Sequence, residues 1–68
     1  MFVYILKSLP YSWHYVGLTY SVNRRLKEHN KGWVRKTRFY RPFVLVHVEI
    51  VNRLGDARKM EKFFKSGY

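Results

Sequence analysis

Sixty-eight residues with fourteen Lys plus Arg against four Asp plus Glu, and no cysteine, exclude most protein classes at once. Such a chain builds one small core, burying about 60% of its unfolded surface, with no disulfide or Cys-ligated zinc to staple it. Two Trp, six Tyr and five Phe supply the packing and separate the chain from a disordered basic tail. The net charge of +10 points to a polyanionic partner, nucleic acid ahead of a membrane surface. No segment approaches the roughly 20 apolar residues of a membrane span. The Phe2-Val3-Tyr4-Ile5-Leu6 run is short for a signal peptide and lacks a basic segment before it, so the expected location is the cytoplasm.

In chain order, Met1–Leu6 is β-branched and aromatic and predicts a strand, closed by Lys7-Ser8-Leu9-Pro10. A second strand follows at about His14–Leu18, within hairpin distance, where Gly17 marks a bulge or a close backbone approach. Ser21 reads as a helix N-cap, Val22 and Leu26 sit at helical spacing behind it, and Gly32 ends the helix. Trp33–Arg41 is a basic aromatic loop. Its Arg35, Lys36, Arg38 and Arg41 suit phosphate contacts, while Phe39, Tyr40 and Phe43 are expected to lend packing to the core. Val44–Val51 is apolar at nearly every position and predicts a buried central strand, not an edge. Asn52–Asp56 turns into a second helix, with Leu54, Ala57, Glu61 and Phe64 on one face. The order β-β-α-β-α predicts one α+β domain over residues 1–68, a small three-stranded antiparallel sheet flanked by helices.

Two features go beyond apolar packing. Glu61 brings a carboxylate to the packing stripe of the last helix. It is either a stripe-edge residue paired with Lys62 or Lys65, or a ligand for a hard cation such as Mg²⁺, which accepts one or two carboxylates with waters and phosphate oxygens. Arg25 and His29 stand at i and i+4 on the first helix. They form either an exposed basic pair, or an Arg that neutralises a phosphate beside a His that takes a proton. His47 reads as an ordinary hydrogen-bonded strand residue, and His14, Lys59 and Lys62 as surface residues.

The ordered set Val3-Tyr4-Ile5, Tyr15-Val16-Gly17, Arg25-Leu26-Lys27-Glu28-His29 and Glu61 resembles the GIY-YIG nuclease superfamily. The likeness is strongest to its small single-domain bacterial branch, related to the N-terminal nuclease domain of the bacterial excision-repair nuclease. It covers essentially the whole chain, including Lys36-Thr37-Arg38 through Arg41-Pro42. The resemblance implies a metal-dependent endonuclease, using Mg²⁺ or Mn²⁺, that hydrolyses DNA phosphodiester bonds in repair or recombination. It implies that the Tyr4 and Tyr15 hydroxyls line the site, Arg25 contacts the scissile phosphate, Glu61 holds the single metal, and Gly17 is the small residue behind the second Tyr. His29 falls where the family places His or Tyr, so His29 or Tyr15 is the base. A Tyr, with a reference pKa near 10, needs a neighbouring cation to act so; His29 does not, and is preferred, with Tyr15 positioning the water.

The chain departs from the family pattern in three places. The first tripeptide lacks the Gly, Leu18 stands where excision-repair relatives carry a Lys, and the chain ends at Tyr68 where relatives continue into more basic residues. It is therefore a short member, a truncated product or a trimmed chain. Arg24, Lys27, Arg35, Lys36, Arg38 and Arg41 would cradle the backbone of DNA, or of RNA. The competing reading is a nucleic-acid-binding module of the same fold with weak or no turnover; a basic module docking on a protein or membrane comes third. Glu61 favours the enzyme, because a pure binder has no need for a carboxylate that repels phosphate.

Overall fold

In the computed structural model, which describes residues 1–67, the apolar runs form three strands and the periodic segments two helices. The elements β1 (Phe2–Ser8), β2 (His14–Thr19), α1 (Val22–Asn30), β3 (Phe43–Ile50) and α2 (Leu54–Gly67) follow in the expected β-β-α-β-α order. The chain end at Tyr68 lies outside the described residues. The fold is α+β, with an antiparallel sheet in the order β2-β1-β3.

That order corrects the expectation of a central Val44–Val51 strand: β1 is central and β3 is an edge. Val44, Leu45, Val46 and Val48 are each about two-fifths exposed, and Ile50 is 71% exposed. An apolar run reports a capacity for burial, and here two runs compete for one central place. β1 takes it because both other strands pair with it, leaving Val3, Tyr4, Ile5 and Leu6 all buried.

Alternation along β1 then divides the molecule into two layers. Val3 and Ile5 face α2, packing with Val16, Val51 and Ala57 and flanked by Met60 and Phe64. Tyr4 and Leu6 face α1 and the long loop, with Phe43, Trp13, Tyr15, Leu26 and Tyr40 around them. The buried stripe of α2 is therefore Ala57, Met60 and Phe64, while Leu54 in the first turn is half exposed and Glu61 flanks the stripe.

Ser21 takes the N-cap place of α1 in extended conformation, yet its side chain makes no capping bond. The Thr19 hydroxyl instead bonds the Ser21 backbone, accepting from its N–H and donating to its C=O. At the other end Gly32 adopts φ 79°, and two bonds close the helix: Gly32 N–H to His29 C=O at 3.1 Å and Trp33 N–H to Glu28 C=O at 3.0 Å. This pairing is the Schellman closure, which glycine enters without penalty. Asn30 joins the helix end to β3, accepting from Phe43 N–H at 2.6 Å and donating to Phe43 C=O at 3.2 Å.

A 3-10 turn, Arg38–Tyr40, settles the loop aromatics. Tyr40 stacks on Trp13 with ring centroids 4.0 Å apart and Phe43 is buried, as expected, but Phe39 is 77% exposed. Three residues per turn set neighbouring side chains about 120° apart, so turning Tyr40 inward turns Phe39 out.

Candidate active site

Tyr4 lies directly opposite Gly17 in the regular β1–β2 ladder, so Gly17 marks a close approach rather than a bulge. A Cβ at residue 17 would stand 2.5 Å from the Tyr4 Oη, closer than unbonded heavy atoms come. The missing side chain is what lets the Tyr4 ring lie across β2.

From there the Tyr4 hydroxyl meets His29 Nε2 at 2.9 Å, and His29 Nδ1 meets Thr37 Oγ1 at 2.7 Å. His29 and Thr37 have no exposed surface and Tyr4 is 1% exposed. One proton assignment satisfies the whole chain. Thr37 donates to the Val34 C=O at 3.4 Å, Nδ1–H donates to Thr37, and Tyr4 O–H donates to Nε2. The imidazole is then neutral, with its lone pair aimed at Tyr4. Burial, aided by the nearby Arg25 cation and opposed by Glu28, lowers the His29 pKa from 6.5 to about 4. Burial raises the Tyr4 hydroxyl above its ordinary value, while the Arg25 guanidinium beside it pulls the other way.

Arg25 sits one helical turn before His29 and is partly exposed. Its guanidinium pairs with Glu28 Oε1 at 2.8 Å, and Glu28 Oε2 reaches Arg24 at 3.5 Å. Each partner stabilises the other's charge: Glu28 raises Arg25, and Arg25 holds the Glu28 carboxyl below its usual range. The Tyr15 ring lies 6.2 Å from Tyr4 and 5.0 Å from His29. Tyr4, Tyr15, Arg25 and His29 thus form one cluster. The reading of Arg25 and His29 as an exposed basic pair fails at His29, whose burial reflects its place over the sheet rather than its polarity.

Glu61 is set apart from that cluster. It belongs to α2, which covers the Val3–Ile5 face, across the sheet from the Tyr4 hydroxyl. Its carboxylate pairs with Lys65 at 3.4 Å and is a quarter exposed. Among the described residues, no three His, Cys, Asp or Glu gather as a metal-binding group, so a closed protein cage does not fit. A hydrated hard cation fits, because it needs one accessible carboxylate and takes its other oxygens from water and phosphate.

Arg24, Lys27, Arg35, Lys36, Arg38 and Arg41 are all exposed. Lys31, Arg38, Phe39 and Arg41 line a cleft of about 640 Å³ past the helix end. Arg24, Lys27, Lys31 and Trp33 line a second of about 300 Å³. Lys31 stands 4.7 Å over the Trp33 ring, and Arg38 stands 5.9 Å over Phe39. Sequence reasoning missed Thr37, Glu28 and Lys31 as members of these sites. Thr37 has no periodic relation to His29, since the Gly32 reversal lies between them. Glu28 was findable, as the acid three residues after Arg25 on a helix of bases.

This small α+β fold carries the Tyr4, Tyr15, Arg25 and His29 cluster on one face of its sheet together with exposed basic residues. The GIY-YIG catalytic domain family matches residues 1–68, and the chain belongs to that family. It is 38% identical over 66 residues to a UPF0213 protein of Syntrophus aciditrophicus (strain SB), covering 94% of this chain and 75% of that one. It is 35% identical over 65 residues to UPF0213 protein YazA of Bacillus subtilis (strain 168), covering 94% and 65% respectively. No solved structure is a significant match. The family supports an endonuclease-type function on nucleic acid, generally with a divalent metal. Among the described residues no helix is long and apolar enough to cross a membrane.

Proposed function

We propose that residues 1–68 work as a single nuclease domain, a cytoplasmic Mg²⁺- or Mn²⁺-dependent endonuclease that hydrolyses DNA phosphodiester bonds in repair or recombination. The observation that carries this reading is the buried Tyr4–His29–Thr37 chain with Arg25 beside it. A neutral imidazole aimed at a tyrosine hydroxyl can take its proton only as charge develops at the reacting centre; a phosphate-binding surface alone would be better served by a charged, exposed histidine.

In this mechanism the scissile phosphate displaces Glu28 from Arg25 and takes its charge-assisted hydrogen bonds. Tyr15 positions the attacking water. As the water oxygen bonds to phosphorus and the bond to the leaving oxygen breaks, the water proton passes to Tyr4 Oη and the Tyr4 proton to His29 Nε2. The leaving oxygen is protonated from solvent. Thr37, accepting from Nδ1–H, holds the ring in the required tautomer. Burial raises the Tyr4 hydroxyl and lowers His29, so a phenolate formed in advance is disfavoured and transfer is concerted with attack. Glu61 offers a divalent cation one accessible carboxylate on the α2 side of the sheet, and no step at the Arg25-bound phosphate is assigned to it.

The test compares wild type with Arg25→Ala, His29→Gln and Glu61→Ala on single-stranded, duplex and branched DNA and on RNA, with Mg²⁺ or with EDTA. Metal-stimulated DNA cleavage is expected in the wild type, reduced at least about 100-fold by Arg25→Ala and by His29→Gln, while Glu61→Ala reads whether the α2 carboxylate takes part. Cleavage that survives both Arg25→Ala and Glu61→Ala overturns the assignment. The second reading, a binding module with weak turnover, is favoured by Glu28 occupying Arg25 in the resting protein. It would show as tight, salt-dependent binding with no metal-stimulated cutting.

A further inference from the structure

The free edge of β3 has properties that neither the fold nor the nuclease site uses. Edge strands are ordinarily blunted by lysine, proline or bulges, because an unpaired backbone ladder templates association. In a chain of fourteen Lys plus Arg, none falls between Arg41 and Arg53. β3 is bulged at Val46, where the β1 pairing shifts, but His47–Ile50 beyond it pairs regularly with β1. In that stretch Val48 and Ile50 are opposite Tyr4 and Phe2 and share the α1 face, whereas His47 and Glu49 are opposite Ile5 and Val3 and share the α2 face. Both apolar side chains are exposed, at 38% and 71%. Beside them an open cleft of about 390 Å³ is lined by Phe2, Val22, Leu45 and Val48.

We infer that β3 is a homodimer interface, on which a second copy of this chain adds its own β3 antiparallel about a dyad at Val48. The strand is self-complementary in this register, and its donor–acceptor pair chooses it. His47 lies opposite Glu49 of the second copy and Glu49 opposite its His47, Val48 lies opposite Val48, and Ile50 opposite Val46. Directly opposed residues that hydrogen-bond each other, or match in β-branched shape, are favourable cross-strand pairs. The only titratable groups on the strand, which approach within 3.1 Å inside one chain, thereby gain a second partner each. Both edge strands lack Lys and Arg, so neither sets base against base between two chains of charge +10, but β3 alone of the two carries a carboxylate opposite a histidine in a self-paired register. The dyad runs perpendicular to the sheet, so the six-stranded product carries both Tyr4–Arg25 clusters on the same side. One strand-to-strand seam is smaller than a standard interface of about 1,600 Å², the size class of weak, transient association.

Dimerisation through β3 does not depend on nuclease activity and is tested without it. Sedimentation equilibrium of the intact chain from about 5 to about 500 µM, in about 0.3 M salt to screen the charge, is expected to show a monomer–dimer equilibrium. Because the chain has no cysteine, Val48→Cys reports the dyad directly: mild oxidation is expected to give at least about tenfold more disulfide dimer than Leu9→Cys, an exposed control outside the strand. Glu49→Lys is expected to weaken dimerisation at least about tenfold, and the exchange His47→Glu with Glu49→His to restore it. Circular dichroism of each variant separates lost association from lost folding. A chain that stays monomeric throughout, with the Val48→Cys variant no more readily cross-linked than the Leu9→Cys variant, overturns the inference. So does a dimer indifferent to Glu49→Lys and Val48→Lys, or a monomer that instead binds an extended foreign peptide along β3.

Discussion

On one side of the sheet Val3, Ile5, Val16, Val51 and Ala57 pack apolar group against apolar group. On the other side, one residue along the same strand, Tyr4 packs among aromatic rings and passes its hydroxyl to His29, which is held in turn by Thr37. The first face follows volume, since any side chain of the right size satisfies it. The second follows proton and lone-pair accounting, since each buried polar atom there must find its partner. One strand serves both because successive side chains point to opposite faces, and the register that buries Ile5 is the register that presents Tyr4.

The largest effect expected from breaking this contrast lies on the apolar face. Ile5→Ala should cost about 2–5 kcal/mol in urea unfolding while leaving cleavage per folded molecule unchanged. A loss of activity without a loss of stability would show that the faces are not separable.

The next effect belongs to the polar face and depends on pH. His29 is buried neutral with its pKa lowered to about 4, against 6.5 for an ordinary histidine. Between those values the unfolded chain binds the additional proton. Stability contributed by the neutral ring is therefore complete above about pH 6.5, falls as pH drops through the window, and is flat again below about 4, for a total of about 3 kcal/mol. Urea midpoints measured across pH should show that slope in the wild type and lose it in His29→Gln.

The smallest effect is on the surface pair of α2. Lys65→Ala and Glu61→Gln should each move stability by less than about 0.5 kcal/mol, since exposed i,i+4 pairs contribute little. If Glu61→Gln also leaves metal-stimulated cleavage intact, its carboxylate serves Lys65 alone.

Much of this was readable in residue order. The motif tyrosines and the Arg25–His29 helix spacing needed no tertiary information, because strand alternation and the helical turn fix local faces, whereas Gly17 stood open between a bulge and a close approach until the strand register decided it. The central place of β1 was not readable, since Val44–Val51 is as apolar as Phe2–Leu6 and periodicity carries no lateral order. The exposure of Phe39 beside the packed Tyr40 depended on a three-residue turn that leaves no repeating pattern. Thr37 was invisible as a partner because eight residues and a chain reversal separate it from His29.

The +10 charge, the absence of cysteine, the α+β element order and the family-bearing residues were determined by sequence alone, since composition and local periodicity are properties of the chain itself. Only the tertiary structure decided that His29 is a neutral, buried link in a hydrogen-bonded chain rather than an exposed base, and that Glu61 belongs to the opposite layer. It also decided that β3, as apolar as β1, lies at an edge of the sheet rather than at its centre. Burial, lateral strand order and the partners of a proton are set by what lies across the fold, and no spacing along the chain encodes them.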